Sequence, residues 1–132
     1  MSGGNREVRS FDAYICDDDP SVLEVLTSFM ELRGVHVKAM TSGQDLIEAI
    51  NQQPPRLVLL DVMMPVVNGY AVFSSIKSMT RAFGIHVYFI SALPERNLAW
   101  YAKTNGADGY VTKPFSLKDI DAVLAATGIP TI

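Results

Sequence analysis

Short apolar runs alternate with helix-like patterns along the whole chain. The runs lie at residues 13–16, 35–39, 57–60, 86–90 and 110–112. This alternation is typical of repeated β–α–β units, and it predicts a parallel sheet with helices on both faces. With right-handed crossovers, the pattern gives a doubly wound three-layer α/β sandwich of five strands and five helices. The uninterrupted apolar run at 57–60 predicts a central strand that is covered on both faces.

Capping and stop residues between the runs predict where the helices begin and end. The expected N-terminal signals are Asp19-Pro20, Ser42, Asn68-Gly69, Pro94-Glu95 and Ser116, and the expected stops are Gly34, Pro54-Pro55, Gly106 and Gly128. The first helix is expected to run to about Leu32. Its spacing predicts a buried stripe formed by Val22, Val25, Leu26 and Phe29.

The size and composition fit one globular domain. Hydrophobic residues make up 48% of the 132 residues and charged residues 19%, which is far from the profile of a disordered chain. We expect a single domain over residues 1–132, with a core at about 11–127 and a flexible leader at 1–10. The formal net charge of −3 supplies no basic field for phosphate neutralisation, so direct nucleic-acid binding is not expected.

The sequence also bears on the compartment of the domain. No apolar run approaches membrane-spanning length, and residues 1–10 lack the apolar segment of a secretory signal. The single cysteine, Cys16, cannot form an internal disulfide and is expected as a small buried apolar residue. A cytoplasmic domain without membrane contact is therefore expected.

Polar and charged side chains follow the predicted strands at the point where each strand ends. Asp17-Asp18-Asp19 follows the first strand and Asp61 the third, whereas Ser91 and Lys113 follow the fourth and fifth. Because the carboxyl ends of parallel strands meet at one edge of a sheet, where open α/β sheets bind ligands, we expect these groups to lie together. Crowded carboxylates repel one another and resist desolvation, so a cation or a bound proton must relieve the field. The pattern predicts a site for a divalent metal and a phosphoryl group.

The acids differ in their expected roles. Magnesium prefers oxygen ligands and is commonly held by one or two carboxylates plus a phosphate oxygen, which favours Asp17, Asp18 and Asp61 as its ligands. Asp19 comes directly before Pro20, and this position suits helix capping better than metal binding.

A carboxylate can itself attack phosphorus and form an aspartyl phosphate. Asp61 is the candidate nucleophile. Because phosphoryl transfer needs mainly alignment and charge neutralisation, Lys113 is expected to balance the transferring group, and Ser91 to donate a hydrogen bond to one of its oxygens.

Four blocks of the sequence resemble the receiver domain of bacterial response regulators. The blocks are Cys16-Asp17-Asp18-Asp19-Pro20, Leu60-Asp61-Val62-Met63-Met64-Pro65 with Asn68-Gly69, Ile90-Ser91-Ala92, and Gly106-Ala107-Asp108-Gly109-Tyr110-Val111-Thr112-Lys113-Pro114-Phe115. Their order and spacing match over about residues 11–127. The resemblance implies a flavodoxin-like sheet with strand order 2-1-3-4-5 and a domain of two-component signalling.

The resemblance also implies how a phosphoryl group would arrive. Asp17, Asp18, Asp61 and the backbone carbonyl of Met63 would hold Mg²⁺. Asp61 would accept a phosphoryl group from the phosphohistidine of a histidine kinase or a phosphotransfer protein. The domain would then be a switch that catalyses at most its own phosphorylation and dephosphorylation.

A second group of residues would hold the phosphate and report its presence. The resemblance implies that Ser91, Ala92 and Lys113 contact the phosphate. It also implies that Ser91 and Tyr110 act as switch residues, because new negative charge would draw Ser91 and Lys113 inward and open space for Tyr110 to rotate. The readout surface for a downstream effector would be helix 4, strand 5 and helix 5.

The fourth helix would present aromatic residues on this surface. Its spacing places Leu98, Ala99 and Ala102 toward the core, so Trp100 and Tyr101 are expected toward solvent. Exposed aromatic side chains are favoured anchors for a partner.

Two features depart from the commoner receiver pattern. Met63 and Leu93, each two residues after a site residue, are apolar and would shield an acyl phosphate from water, which predicts a long-lived phosphorylated state. Gly109 stands where receivers that dimerise to drive winged-helix domains usually carry an acid, and residues 117–127 contain no arginine. That form of dimer is therefore not favoured, and the output stays open between a stand-alone receiver and part of a larger regulator.

Three other functions compete with this interpretation. A haloacid-dehalogenase-type phosphatase would use Asp17 as nucleophile and Asp19 as a second acid, but it would give Asp61 no role. A flavodoxin-like cofactor binder would need a glycine-rich or hydroxyl-rich phosphate loop after strand 1, which the chain lacks. A receiver-like binding module that is never phosphorylated would not need the complete set of site residues.

Overall fold

A computed structural model describes residues 10–63 and 68–132. The strands are β1 (Ala13–Cys16), β2 (Val37–Met40), β3 (Leu57–Asp61), β4 (His86–Ser91) and β5 (Gly109–Thr112), and the helices are α1 (Pro20–Leu32), α2 (Gly43–Gln52), α3 (Gly69–Phe83), α4 (Glu95–Asn105) and α5 (Leu117–Thr127). The strands form one sheet in the order β2-β1-β3-β4-β5, and all neighbouring strands are parallel. The predicted fold class and strand order are confirmed. Most of the expected leader and the Met64-Pro65 part of the loop after β3 lie outside the described residues.

Alternating side chains of the strands feed two cores, one on each face of the sheet. Strands β1 and β3 are buried along their whole length because each has a hydrogen-bonded neighbour on both edges and helices above and below. Tyr14, Cys16, Val58 and Leu60 join the core beneath α2, α3 and α4, whereas Ala13, Ile15, Leu57 and Leu59 join the core beneath α1 and α5. The central position expected for residues 57–60 is confirmed.

Side-chain caps begin most of the helices where the sequence predicts them. The carboxylate of Asp19 caps α1, the hydroxyl of Ser42 caps α2, and the side-chain oxygen of Asn68 caps α3. Ser116 and Asp119 form a reciprocal capping box at α5. These caps satisfy backbone N–H groups that have no partner within the helix, and they orient each helix start toward the carboxyl edge of the sheet.

The buried face of α1 differs from the predicted stripe. The residues of α1 that are buried are Leu23, Leu26 and Met30, whereas Val25 is 42% exposed. Apolar residues occupy more than one face of this helix, so several stripes satisfy helical spacing. Packing against the sheet selects one of them.

Strand β2 also starts later than predicted, at Val37 instead of Val35. The N–H of Val35 donates to the carbonyl of Met30 at 3.0 Å, after Gly34 takes a left-handed φ of +76°. Val35 therefore completes the C-terminal turn of α1, and ladder pairing begins only where Val37 lies opposite Ala13.

Across residues 10–63 and 68–132, no helix is long and apolar enough to cross a bilayer.

Candidate functional site

Three carboxylates converge at the carboxyl edge of the sheet. Because Cys16 pairs in register with Leu60, the residues that follow them, Asp17 and Asp61, emerge side by side. One carboxylate oxygen from each of Asp17, Asp18 and Asp61 lies within 4.8 Å of the other two. Asp17 and Asp61 are buried, whereas Asp18 is exposed. The predicted meeting of these acids is therefore found in the structure.

The ammonium group of Lys113 lies between the two buried acids. Its Nζ is 2.8 Å from Oδ2 of Asp17 and 3.6 Å from Oδ2 of Asp61. The N–H of Lys113 also donates to the carbonyl of Ser91 at 2.8 Å, which ties the ends of β4 and β5 together. Lys113 thus reaches the acids from the end of β5, whereas Asp17 follows β1 and Asp61 ends β3.

Burial and charge set the protonation of this cluster in opposite directions. Burial raises the pKa of Asp61 above its usual range, an N–H bond from Met63 at 2.9 Å lowers it, and the nearby charge of Asp17 raises it further. Burial alone would lower the pKa of Lys113, but Asp17 and Asp61 outweigh it and raise that pKa. Lys113 therefore stays protonated. Its single positive charge only partly balances the three neighbouring acids.

The oxygens of Asp17 fit a metal ligand. Its Oδ1 accepts an N–H bond from Asp19 at 2.9 Å, which fixes the carboxylate. Its Oδ2 is inaccessible to solvent and, among the described residues, accepts no well-aligned hydrogen bond, although Lys113 Nζ is close. A buried carboxylate oxygen without a well-aligned hydrogen bond, beside two more carboxylates, suits a hard divalent cation.

Asp19 caps α1 as the sequence predicts. Its Oδ1 accepts from the backbone N–H of Ser21 at 3.0 Å and from the Ser21 hydroxyl at 2.7 Å. These hydrogen bonds lower the pKa of Asp19, so it stays ionised at the helix start. Asp19 is not among the three acids whose oxygens lie within 4.8 Å of one another.

Ser91 ends β4 with its side chain fully buried. Its Oγ accepts the N–H of Leu93 at 3.0 Å, which leaves the hydroxyl proton available to a new acceptor. Ala92 is exposed beside it, and Leu93 is half-buried. Met63, on the other side of the site, is 57% exposed.

Tyr110 lies on the surface of β5 and points toward α4. Its hydroxyl donates to Oε2 of Glu95 at 2.9 Å, a partner that sequence reasoning missed. The pKa of Tyr110 is raised, mainly by this hydrogen bond and to a smaller extent by burial and by the negative charge of Glu95. An inward rotation of the ring would have to break the bond to Glu95.

Gly109 has a structural reason for the absence of a side chain. A Cβ at this position would lie 2.6 Å from the ring of Tyr88, the residue opposite it on β4. The Tyr88 ring fills the space that an acidic side chain would need.

Cys16 is a buried thiol that forms no disulfide within the described residues, as predicted. Burial raises its pKa to about 12, with further contributions from Asp17 and Asp61. Its Sγ donates to the carbonyl of Ser42 at 3.4 Å. The thiol therefore stays protonated, and it packs in the hydrophobic core next to the acids.

The aromatic residues of α4 differ in exposure. Trp100 is 60% exposed, as expected, but Tyr101 is half-buried because its ring stacks on Tyr70 at 4.8 Å between centroids. Sequence reasoning missed Tyr70, whose only signal was an aromatic residue directly after the Asn68-Gly69 helix start.

This edge of the sheet, with buried acids, a balancing lysine and a buried hydroxyl, defines a receiver-type α/β protein. The chain belongs to the family described as the response regulator receiver domain, which matches residues 13–125. It is therefore a signalling domain of the two-component type.

A curated relative agrees with this assignment, and two solved structures share the fold. The response regulator SaeR of Staphylococcus aureus is 32% identical over 106 residues, which cover 80% of this chain and 45% of SaeR. The chain thus spans about half the length of the curated relatives it matches. The crystal structure of the receiver domain of NtrX from Brucella abortus superposes with a TM-score of 0.80 at 24% identity, over 88% of this chain and 97% of that one. A putative response regulator from Chloroflexus aurantiacus gives 0.81 at 21% identity, over 91% and 99%.

Proposed function

We propose that Asp61 accepts a phosphoryl group from the phosphohistidine of a histidine kinase or a phosphotransfer protein. The observation that carries this proposal is the position of Asp61, a buried carboxylate that lies beside a second buried acid, Asp17, and 3.6 Å from the ammonium of Lys113. Burial of a carboxylate beside a second acid is destabilising, and ionisable groups in such places are found mainly at functional sites. Family membership supports the same role.

The chemical step is a displacement at phosphorus. An oxygen of Asp61 forms the new P–O bond while the P–N bond to histidine breaks, and its electron pair returns to the imidazole nitrogen. The Met63 N–H holds Oδ1 of Asp61 at 2.9 Å, so Oδ2 is the oxygen that remains to attack. Lys113 Nζ lies 3.6 Å from that oxygen and can balance charge on the arriving group.

Mg²⁺ is part of the same proposal. Asp17, Asp18, Asp61 and the backbone carbonyl of Met63 are the groups that would hold it, and the carboxylate oxygens within 4.8 Å of one another support this assignment. When bound, a divalent cation neutralises negative charge on the phosphoryl oxygens. The N–H of Asp19 already orients the Asp17 carboxylate through Oδ1, which supports its role as a ligand.

After transfer, Ser91, Ala92 and Lys113 hold the phosphoryl oxygens. Ser91 donates its free hydroxyl proton, and Ala92 lies beside it at the exposed start of the loop. Movement of Ser91 and Lys113 toward the phosphate frees space beside β5, and Tyr110 then leaves Glu95. The altered α4–β5–α5 surface is what an effector domain or protein recognises.

The remaining assignments follow from this role. Residues 1–132 form one domain with a core at about 11–127, placed in the cytoplasm, and the domain catalyses at most its own phosphorylation and dephosphorylation. It acts through protein partners, without direct contact with nucleic acid or membrane. A Cβ at Gly109 would lie 2.6 Å from the Tyr88 ring, so the acid that the winged-helix type of dimer uses would require this ring to move.

Incubation with Mg²⁺ and a small phosphodonor such as acetyl phosphate tests the proposal. We expect intact mass spectrometry to detect one added phosphoryl group that hydroxylamine removes, because an acyl phosphate is sensitive to that nucleophile. Rapid turnover of a phosphate ester without a stable adduct would favour the phosphatase alternative instead. No adduct and no turnover would indicate a binding module.

Met63 and Leu93 are expected to prolong the phosphorylated state. Their backbone N–H groups bond to Asp61 and Ser91, so both residues adjoin the site, and apolar groups there would impede the approach of water. Replacing both, as Met63→Asn/Leu93→Asn, should shorten the half-life of the phosphoryl group by roughly tenfold, about 1.4 kcal/mol of barrier. Timed mass spectra after removal of the phosphodonor measure this. A half-life equal to that of the parent chain would refute the shielding role, and Leu32→Asn, which replaces an exposed apolar residue at the C-terminal end of α1, is the control.

A further inference from the structure

Aromatic side chains form a continuous contact from the core to the surface on the α3–α4 side of the sheet. The centroid distances are 5.3 Å for Phe73–Phe89, 5.6 Å for Phe89–Tyr70, 4.8 Å for Tyr70–Tyr101 and 5.1 Å for Tyr101–Trp100. Phe89 is fully buried in β4, whereas Trp100 is 60% exposed on α4. Tyr70 is the ring that joins the sheet to α4.

Tyr70 is also tied to the proposed phosphoacceptor through the backbone. It is the second residue of α3, and its N–H donates to the side chain of Asn68 at 2.8 Å. The preceding Gly69 packs so closely that a Cβ there would lie 2.3 Å from the carbonyl oxygen of Asp61 and 2.6 Å from Cα of Val62. Because the first turn of α3 packs directly against the Asp61 backbone, a displacement of that backbone would also move Tyr70.

The hydroxyl of Tyr70 is unpaired in this arrangement. It is inaccessible to solvent and has no hydrogen-bond partner within residues 10–63 and 68–132. A buried donor without a partner destabilises the resting fold, so a rearrangement that supplies an acceptor is favoured. A phosphoryl group on Asp61 would bring three acceptor oxygens and roughly two negative charges. The pKa of Tyr70, raised to about 12 by burial and then by Tyr101 and Asp61, keeps the hydroxyl a donor.

We propose that Tyr70 is a positioning residue of the switch, an inference that rests on the phosphorylation of Asp61. On phosphorylation its hydroxyl turns toward the modified site, its ring separates from Tyr101, and the first turns of α4 carry Trp100 into a new environment. This route runs through α3 and α4 and is distinct from the pair formed by Ser91 and Tyr110.

Trp100 provides the measurement, because it is the single tryptophan of the chain. Its emission is recorded before and after addition of Mg²⁺ and beryllofluoride, a stable stand-in for the phosphoryl group, while phosphoryl uptake from acetyl phosphate is measured by mass. We expect a clear emission change in the parent chain. In Tyr70→Leu most of this emission change should be lost, with unchanged phosphoryl stoichiometry.

A matched control removes an aromatic ring from the opposite face of the sheet. Phe29 is a half-buried residue of α1. Its ring contacts that of Phe115, just before α5, at 6.4 Å between centroids. Phe29→Leu should keep the full Trp100 response. If Phe29→Leu weakened that response as much as Tyr70→Leu, general loosening of the fold would explain both results and the proposal would fall.

Tyr70→Phe separates the hydroxyl from the ring, and it guards against misfolding of the leucine variant. Removing an unpaired buried hydroxyl should raise the urea midpoint of the unphosphorylated domain while it weakens the Trp100 response. A purely structural tyrosine would not give both effects. A lowered midpoint, or a full emission change in either Tyr70 variant, would overturn the proposal.

The parent chain distinguishes this inference from the proposed function. If it gains the mass of a phosphoryl group but the Trp100 emission does not change, only the role of Tyr70 fails. If it gains no mass, the proposed function fails and the role of Tyr70 with it.

Discussion

Replacing Asp61 with asparagine is expected to abolish phosphoryl uptake completely. The amide keeps the size of the side chain but is a far weaker nucleophile toward phosphorus than a carboxylate. The parent chain should gain one phosphoryl group from acetyl phosphate in Mg²⁺, and Asp61→Asn should gain none. Intact mass spectrometry, followed by peptide mapping of the parent chain, measures both the stoichiometry and the modified residue.

Two further variants make the result specific. Asp45→Asn removes an exposed acid in the first turn of α2 and should leave uptake unchanged. Asp17→Asn should slow uptake because a metal ligand is lost, yet any label should still map to Asp61. Asp61→Asn removes one of the crowded buried charges, so its urea midpoint should equal or exceed that of the parent chain, which excludes misfolding. A label that persists in Asp61→Asn but disappears in Asp17→Asn would identify Asp17 as the nucleophile, as a phosphatase requires.

Replacing Lys113 with methionine is expected to produce the largest loss of stability. Methionine keeps an apolar stem but removes the ammonium that lies 2.8 Å from Asp17 and 3.6 Å from Asp61. Removal of one partner of a buried pair leaves an uncompensated charge, and we expect the free energy of unfolding to fall by about 3 kcal/mol in metal-free buffer. This is the low end of the usual range because the Lys113 side chain is 20% exposed. Urea titration in EDTA measures it.

The cause of that loss can be separated from a general effect of losing a lysine. Lys118→Met removes an exposed lysine from α5 and should change stability by less than about 0.5 kcal/mol. In the double variant Lys113→Met/Asp17→Asn, at least about 1 kcal/mol of the lost free energy of unfolding should be recovered, because the carboxylate left without a cation has also been removed. Saturating Mg²⁺ should also restore part of the stability of Lys113→Met, because it binds only the folded acids. If Lys113→Met were as mild as Lys118→Met, the acids would not depend on this cation.

The fold and the convergence of the acids were predictable because they depend on local patterns and on one topological rule. Alternating strands and helices with right-handed crossovers require a parallel sheet, and the carboxyl ends of its strands must then share an edge. Asp17 and Asp61 meet for this reason, although they are far apart in the chain. The capping roles of Asp19, Ser42 and Ser116 were equally accessible, because a cap interacts with the backbone of its own helix.

Other features could not be derived because several arrangements satisfy the same pattern. Apolar residues cover more than one face of α1, and the stripe that contains Val25 has the same helical spacing as the buried one that contains Leu23 and Leu26. The start of β2 depended on whether Val35 completes the α1 turn or joins the ladder.

The sequence by itself determined the class of fold, the edge where the chemistry gathers and the side chains that reach it, because periodicity and strand order are properties of backbone geometry. The tertiary structure alone decided that Lys113 lies closer to Asp17 than to Asp61, that Tyr110 is held by Glu95, and that Tyr101 stacks on Tyr70. Those contacts depend on side-chain rotamers between elements that are distant in the chain, and only packing of the complete core selects among them.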